Sequence, residues 1–549
     1  MGRYAKFFGS RRKFYTILTG TSVLSLALWI ILQFGVDTPR ARLNVVVGVA
    51  VLFFGAVLKA AVAGAASEES AIFEELRWRF WPAIGLAAAT WACVIPCYFT
   101  SDDFSLLHQA QRLTSGSVWA FVARSQATTF FRPLGQLSLL LDYHLWHLWP
   151  AGYHLTNIAL HLISVVGVYS LVRQFRLSTT AAAACALIFG VLPIQIEAVA
   201  WMICRFDLLA TCLTIWAVVL YSRYRNSGRQ INFWAALILF VLAMLSKESG
   251  YIAPLLIGAA ELFVFPKARL KPLSGFIAAG GFVFVLRWIH LGGIGGYVSS
   301  SGMRQAFVLH FKTLEALFLR GPSQAIWGIN WQQPGSVWFT AVCSTLIAAL
   351  LMLAFCTRLA SSGRAAIRFG LCWMLASMLP VHSLILIGSG LTNARLLYMC
   401  SVGAAIVVGT LLAGIKGQTL RLILTGAIAI LFSQIAVHNS KAWRWATELS
   451  RIFPEQLKQL EPAPSQNAEF LFRNMPETLR GVYFYAVGLQ DSIQMAYGRE
   501  DLTAFREGQV DQRPHSPEAN RSIISFEWHG NPSMLVRRSV PPLENRYIK

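Results

Sequence analysis

Residues Trp81–Asp103, WPAIGLAAATWACVIPCYFTSDD, combine the two features that decide the fold. The run from Trp81 to Phe99 is almost free of polar side chains and is close to the roughly 20 residues with which an α-helix crosses a bilayer core. Asp102 and Asp103 follow at once, and their charges are costly near lipid unless water or a cation solvates them. The stretch therefore predicts a membrane helix that reaches the surface at an acidic pair.

The composition of the whole chain also indicates a membrane protein. Of its 549 residues, 55% are hydrophobic and only 13% are charged, whereas soluble domains carry about 25% charged residues. The net charge of +21 does not indicate nucleic-acid binding, because much of the Lys and Arg lies in short loops between apolar runs. The nine cysteines lie in or beside apolar segments and predict neither a disulfide framework nor a zinc site.

Apolar runs long enough for a membrane helix recur along the chain and predict about thirteen spans. Their centres lie near Ala27, Leu52, Leu86, Ile163, Ile188, Trp216, Leu239, Leu256, Phe282, Leu346, Met378, Val407 and Ile428. The predicted fold class is a polytopic α-helical membrane protein.

Basic residues cluster in alternate loops, beginning with RRK at 11–13. Because cytoplasmic loops carry an excess of Lys and Arg, the N-terminus is predicted to be cytoplasmic. The polar tail then falls on the outer face, where the strand-like segments GVYFYAV, SIISFEW and SMLVRRS predict a small soluble α+β domain. The predicted parts are a two-helix N-terminal extension (1–80), a membrane core (81–438) and an extracytoplasmic domain (439–549).

This topology brings acids and bases from separate outer loops to one rim of the bundle. They are Asp102, Asp103, Arg132, Asp142, His154, Glu197, Arg205, Asp207, Lys247, Glu248 and Arg395. Plainer explanations stand beside a shared site. Ser101-Asp102-Asp103 is a good helix N-cap sequence, and Arg132 could snorkel to the interface. Glu197 could pair with Arg205, and Lys247 with Glu248 or another nearby acid.

Four ordered segments resemble one family, the GT-C membrane glycosyltransferases related to the transmembrane and tetratricopeptide-repeat O-mannosyltransferases. The longest is FRPLGQLSLLLDYHLWHLWPAGYHLTNIALHLISVVGVYSLV (Phe131–Val172). LPIQIEAVAWMICRFDLLAT (Leu192–Thr211) follows, with Leu192 and Cys204 in place of the family's His and Gly. LAMLSKESGYIAPLL and NARLLYMCSVGAAIV complete the set, the last with Asn393 and Cys400 in place of Glu and Pro. No tetratricopeptide repeat is found in the tail.

The resemblance implies a GT-C-like fold and an enzyme that transfers a sugar from a polyprenyl-phosphate-linked donor to a hydroxyl of a protein, glycan or lipid acceptor, with inversion. It implies that Asp102 is the general base, with Asp103 beside it. Arg132, Arg205, Lys247 and Arg395 are the candidates to bind the donor phosphate. Asp142, His154, Glu197, Asp207, Glu248 and Tyr398 are the candidate supporting residues. No metal ligand set is predicted, although some GT-C enzymes use a divalent metal.

Two other classes of function fit the composition. A lipid or sugar transporter or flippase would place ionisable residues near the bilayer midplane and show similar halves, neither of which the sequence shows. A non-catalytic membrane scaffold would need neither the acidic pair nor the facing bases. The sequence features favour an enzyme of a bacterial inner membrane, with its site and C-terminal domain periplasmic.

Overall fold

A computed structural model describes residues 69–113, 130–296, 317–318, 321–326, 328–332, 359–381, 387, 389–507, 522–529 and 535–538. The predicted spans centred near Ala27, Leu52 and Leu346 lie outside these residues, as does most of the predicted N-terminal extension.

The described part of the chain is mainly helical. Its α-helices, in chain order, are α1 (Glu69–Trp91), α2 (Asp102–Gln111), α3 (Pro133–Trp146), α4 (Pro150–Gln174), α5 (Thr179–Val191), α6 (Ile196–Ala200), α7 (Arg205–Ser227), α8 (Gln230–Ser246), α9 (Ala253–Phe263), α10 (Leu273–Leu291), α11 (Gly321–Ile326), α12 (Ser361–Met378), α13 (Tyr398–Ala413), α14 (Gln418–Leu460) and α15 (Leu489–Tyr497). Short 3₁₀ turns at Ala92–Val94, Pro193–Gln195, Met202–Cys204, Glu248–Ile252, Leu379–Val381 and Ala394–Leu397 join several of them.

Six helical segments of the described residues are long and apolar enough to cross a membrane, so the chain is a membrane protein. They are Pro150–Gln174, Met202–Ser227, Leu273–Leu291, Ser361–Val381, Ala394–Ala413 and Gln418–Leu460. A seventh results if α5 and the segment Pro193–Ala200, bent by 43°, form one broken span.

The predicted count of thirteen spans is therefore not confirmed. Seven of the predicted centres fall on these segments, and Leu86 and Leu239 fall on shorter apolar helices. Leu256 lies in α9, whose 11 residues extend about 16 Å, roughly half of a bilayer core. Hydropathy alone predicts a full membrane span here, because the 3₁₀ turn before α9 is itself partly apolar.

Close helix packing in the bundle depends on small residues, which let backbones approach without a side chain between them. A Cβ atom at Gly403 of α13 would lie 2.4 Å from the carbonyl oxygen of Gly370 in α12. The segments differ in burial. The apolar stretch of Ala394–Ala413 is 94% buried inside the protein, whereas that of Leu273–Leu291 is only 17% buried. Thus α13 is central, whereas α10 exposes Ile277, Phe282 and Ile289 to the surrounding lipid.

The helix α14 joins the membrane core to the C-terminal sheet without a break. Its 43 residues extend about 65 Å, twice the thickness of a bilayer core. The predicted domain boundary at 438/439 falls inside this helix. Sequence reasoning placed it there because apolar character ends near His438, but the helix continues as an amphipathic element that packs against the sheet through Phe453.

The described tail forms a four-stranded mixed sheet in the order β4-β1-β5-β6. Its elements are β1 (Glu469–Arg473), β2 (Thr478–Leu479), β3 (Val482–Tyr483), β4 (Thr503–Arg506), β5 (Ile523–Trp528) and β6 (Leu535–Arg538). Strand β1 is parallel to β4 and β5, β6 is antiparallel to β5, and β2 and β3 form a separate hairpin. Phe470 and Phe472 lie on the same face of β1 and stack on Phe526, at 5.9 and 5.6 Å between ring centroids.

Candidate active site

Asp102 and Asp103 occupy the first turn of α2, where carboxylates are favoured by the helix dipole. The turn is entered through Ser101, whose φ of 49° is a left-handed conformation that costs a non-glycine residue about 1–2 kcal/mol. Ser101 is buried, and its Oγ accepts a hydrogen bond from the Val487 amide at 3.2 Å. The tail therefore holds a strained backbone directly before the acidic pair.

Asp103 is an anchor for two loops. Its Oδ2 accepts from the Thr100 amide at 3.0 Å, and its Oδ1 accepts from the Ile203 amide at 3.2 Å. The side chain is 1% exposed, and burial raises its pKa well above the usual value despite these hydrogen bonds. Asp103 thus fixes the α2 start to the turn before α7, and substrate has no access to its carboxylate.

Asp102 has a different environment. Its side chain is half-buried and makes no hydrogen bond or ion pair with any residue that the structure describes. Burial raises its pKa, and the positive charge of Arg395 partly opposes that rise. The Asp102 carboxylate is therefore both accessible and within the field of a cation.

Arg395 lies on the 3₁₀ turn before α13 and is held by Glu197. Its backbone amide donates to Glu197 Oε2 at 2.8 Å, and its guanidinium forms an ion pair with the Oε1 of the same residue. The guanidinium carbon lies 5.1 Å from the Trp201 ring centroid and 5.5 Å from that of Tyr483. Cation–π contacts and a short ion pair fix this arginine beside Asp102.

Arg205 is enclosed at the start of α7 and is fully buried. It donates to Asp142 at 2.6 Å, Asn157 at 2.5 Å, Ser138 at 3.1 Å and the Tyr153 carbonyl at 3.1 Å. To bind the phosphate of the sugar donor, as predicted, Arg205 would need an accessible guanidinium N–H group, and its fully buried guanidinium presents none to a ligand. The bonds instead tie α7 to α3 and α4.

Two further charge groups involve the neighbouring residues Lys247 and Glu248, at the 3₁₀ turn after α8. Lys247 donates to Asp207 at 2.6 Å, and both side chains are buried. Glu248 accepts from Arg132 and from Arg287, each at 2.7 Å. Burial raises the pKa of Glu248, but the two arginines outweigh it and bring the pKa to about 2. The Arg132–Glu248–Arg287 group therefore carries a net charge of +1, whereas Lys247–Asp207 is neutral.

The structure pairs most of the predicted charged site residues with one another. Arg395, Glu197, Asp207 and Lys247 all act electrostatically on the buried Cys204 thiol. Arg132 lies over the ring of Phe206, the residue after Arg205, at 5.5 Å. His154 and Tyr398 have other roles, since His154 Nε2 bonds the Cys97 carbonyl at 3.0 Å and the Tyr398 hydroxyl bonds His161 at 2.9 Å.

Sequence reasoning missed Tyr483 and Arg287, which contact the predicted site residues Arg395 and Glu248. Tyr483 stacks on Trp201 at 5.1 Å, and its carbonyl accepts from the Thr100 hydroxyl at 2.7 Å. Arg287 was not singled out because it lies within an apolar helix, α10. The aromatic run GVYFYAV was the available signal for Tyr483, but it predicts a strand before it predicts a site.

Within the part of the chain that the structure describes, no group of three or more His, Cys, Asp or Glu side chains is placed to hold a metal ion. Metal independence stays a prediction.

Curated proteins with similar sequences share one description. Protein O-mannosyl-transferase Tmtc1 of Drosophila melanogaster is 34% identical over 136 residues, 24% of this chain and 15% of the relative. Protein O-mannosyl-transferase TMTC4 of Homo sapiens is 23% identical over 459 residues, 68% of this chain and 61% of the relative. The chain is similar in sequence to protein O-mannosyl-transferases. This confirms the resemblance drawn from the four sequence segments. The chain spans less than two-thirds of the length of these relatives.

No protein-family model matches the chain. Among solved structures, the oligosaccharyltransferase of Archaeoglobus fulgidus aligns with a TM-score of 0.44 and 12% identity, covering 79% of this chain and 65% of that one. ArnT from Cupriavidus metallidurans bound to undecaprenyl phosphate aligns with a TM-score of 0.38 and 11% identity, covering 82% and 92%. Both scores lie below 0.5, so the GT-C architecture stays a proposal.

Proposed function

We propose that the chain is a GT-C-type membrane glycosyltransferase that moves a sugar, such as mannose, from a polyprenyl-phosphate donor to an acceptor hydroxyl. The observation that carries the proposal is the half-buried Asp102 carboxylate, without a hydrogen-bond partner among the described residues and beside Arg395. The relationship to protein O-mannosyl-transferases supports the reaction class. The acceptor would be a protein, glycan or lipid, and the site would face the periplasm of a bacterial inner membrane.

Asp102 would act as the general base. Its carboxylate takes the proton of the acceptor hydroxyl while the hydroxyl oxygen bonds to the anomeric carbon of the sugar. The bond from that carbon to the phosphate oxygen breaks, and the electron pair leaves with the polyprenyl phosphate. A single displacement of this kind inverts the anomeric centre. Asp103 would position the base, because its own oxygens are occupied by two backbone amides.

The leaving phosphate gains negative charge and needs fixed cations. Arg395 and the net positive Arg132–Glu248–Arg287 group are the best candidates. Glu248 stays ionised above pH 3 or so because its pKa is about 2, and it would orient both arginines. Arg205 and Lys247 would support the site through the ion pairs with Asp142 and Asp207.

Purified protein in lipid nanodiscs, supplied with a labelled polyprenyl-phosphate mannose and a hydroxyl acceptor, tests the proposal. Asp102→Asn keeps the shape of the side chain but removes the base, so turnover is expected to fall roughly 10²- to 10⁴-fold. Glu448→Gln, the same change at an exposed carboxylate, is the matched control and should retain activity. Transfer that persists in the double variant Asp102→Asn, Asp103→Asn would refute the assigned base.

A further inference from the structure

A polar cavity of about 300 Å³ lies between the ends of α4, α7 and α9. Its polar lining consists of Gln174, Arg176, Arg225, Asn226, Lys267 and Arg269. Pockets of about 300 Å³ and above are large enough for small-molecule ligands.

This cavity lies on the opposite face of the membrane from the candidate active site. Arg205 begins α7 at the active site and Arg225 lies in its last turn at the cavity. The 20 residues between them extend about 30 Å along the helix, which is the thickness of a bilayer hydrocarbon core. Helix α4 runs the same way, from Tyr153 beside Arg205 to Gln174 at the cavity.

A buried carboxylate organises the wall of the cavity. Glu261 is fully buried and accepts from the Tyr221 hydroxyl at 2.6 Å, from Arg225 Nε at 2.5 Å and from the Arg269 amide at 2.7 Å. Arg225 also donates to the Lys267 carbonyl at 2.7 Å and lies over the Phe265 ring at 4.8 Å. The loop 264–269 is therefore held against α7, and Asn226 donates to Gln174 across the cavity at 3.2 Å.

The charge of the lining is unbalanced. Glu261 neutralises Arg225, but the exposed side chains of Arg176, Lys267 and Arg269 make no ion pair with any described residue. Arg176 even adopts a φ of 60°, a left-handed conformation that Gly or Asn would adopt more readily. Around Asp102, by contrast, Arg205, Lys247 and Arg395 each have an acidic partner.

We propose that this cavity binds a phosphate-bearing anion. Three cations around a preformed concave wall suit a phosphate group, because arginine can bind its oxygens through two parallel hydrogen bonds. The phosphate can belong to the headgroup of an anionic lipid in the adjacent leaflet, or to a free phosphate compound in the aqueous phase. The proposal is independent of the transferase reaction.

The test compares the unsubstituted chain, called the wild type below, with two triple variants of equal charge. The cavity variant is Arg176→Gln, Lys267→Gln, Arg269→Gln. The control variant is Arg229→Gln, Arg368→Gln, Lys416→Gln, which removes three exposed cations that do not line the cavity. Thermal stability is titrated first in phosphatidylcholine nanodiscs containing increasing cardiolipin, and then in detergent with inorganic phosphate or pyrophosphate.

The wild type and the control variant should be stabilised by the phosphate ligand. The cavity variant should require at least about tenfold more ligand, because each basic group near an anion contributes about a factor of five in affinity. Protection by cardiolipin alone would identify a lipid headgroup, and protection by inorganic phosphate or pyrophosphate would identify a free phosphate source. Equal protection of all three proteins, or none of the wild type by any ligand, would overturn the proposal.

Discussion

Two adjacent carboxylates can have different roles when backbone donors reach only one of them. Asp103 accepts from the Thr100 and Ile203 amides and is almost inaccessible. The Asp102 carboxylate accepts no hydrogen bond from any residue that the structure describes. Burial raises its pKa, and the positive charge of Arg395 opposes that rise. The sequence SDD does not distinguish them, because the Ile203 donor lies a hundred positions further along the chain.

The pH dependence of transfer should report Asp102. A base works only when deprotonated, so kcat/KM falls as the pH drops through its pKa, which burial raises and Arg395 partly lowers. Arg395→Gln removes that opposing charge, and we expect the acidic limb of the pH profile to move to higher pH. Arg395→Lys should restore the limb because it retains the charge. A limb at the same pH in all three proteins would contradict the coupling.

Arg205 is predicted to be a stability residue. Arg205→Lys keeps the charge but loses the planar guanidinium with its five N–H donors. The acceptors Asn157, Ser138 and the Tyr153 carbonyl then cannot all be satisfied by one ammonium group. Each unsatisfied buried group costs about 1–3 kcal/mol, so denaturant unfolding should show a clear loss. The exposed Arg451→Lys is the control and should stay within about 0.5 kcal/mol of the wild type. An Arg205→Lys protein of wild-type stability would be inconsistent with the enclosed geometry.

At the scale of single elements, α2 differs from its sequence-based interpretation. The segment FSLLHQAQ is too apolar for a free loop, and the sequence alone predicts an interfacial helix that lies on the membrane. In the structure the tail covers α2. Phe104 stacks on Tyr485 at 5.2 Å, Ser105 donates to Asp491 at 2.5 Å, and His108 contacts Asp491 and Glu500. These partners lie about 380 residues along the chain, beyond the reach of any local pattern.

The contact between α15 and α2 should control the position of Asp102. Gly488, the N-cap of α15, has a φ of 75°, and a Cβ there would lie 2.4 Å from the Ser101 carbonyl oxygen. Gly488→Ala should displace Ser101 and lower kcat by about tenfold or more. Gly498, the C-cap of the same helix, has a φ of 65° and open space around it, so Gly498→Ala carries the same backbone strain without the clash. Equal loss of activity in both variants would argue against positioning.

At the scale of the whole molecule, order along the sequence was more informative than any single motif. The segments around Arg132, Glu197 and Lys247 predicted outer loops that meet, and the structure pairs Arg132 with Glu248, Lys247 with Asp207 and Glu197 with Arg395. The assignment of Arg205 to phosphate binding could not be checked from sequence, because burial depends on α3 and α4 packing around it. The count of spans depended on hydropathy alone, which does not distinguish an 11-residue helix with its 3₁₀ entry from a full crossing.

The sheet and the active site should lose structure together, because they share one apolar core. Phe526 in β5 belongs to the same buried cluster as Leu107 of α2 and Leu140 of α3. Phe526→Ala leaves a cavity that lowers the free energy of unfolding by about 3–5 kcal/mol. The temperature of half-inactivation should therefore fall, and the temperature at which a protease cleaves within 461–507 should fall by the same amount. Phe282→Ala, at a 65% exposed position on α10, should leave both temperatures unchanged. Transferase activity that outlasts cleavage of the sheet in Phe526→Ala would show that the tail is a separate unit.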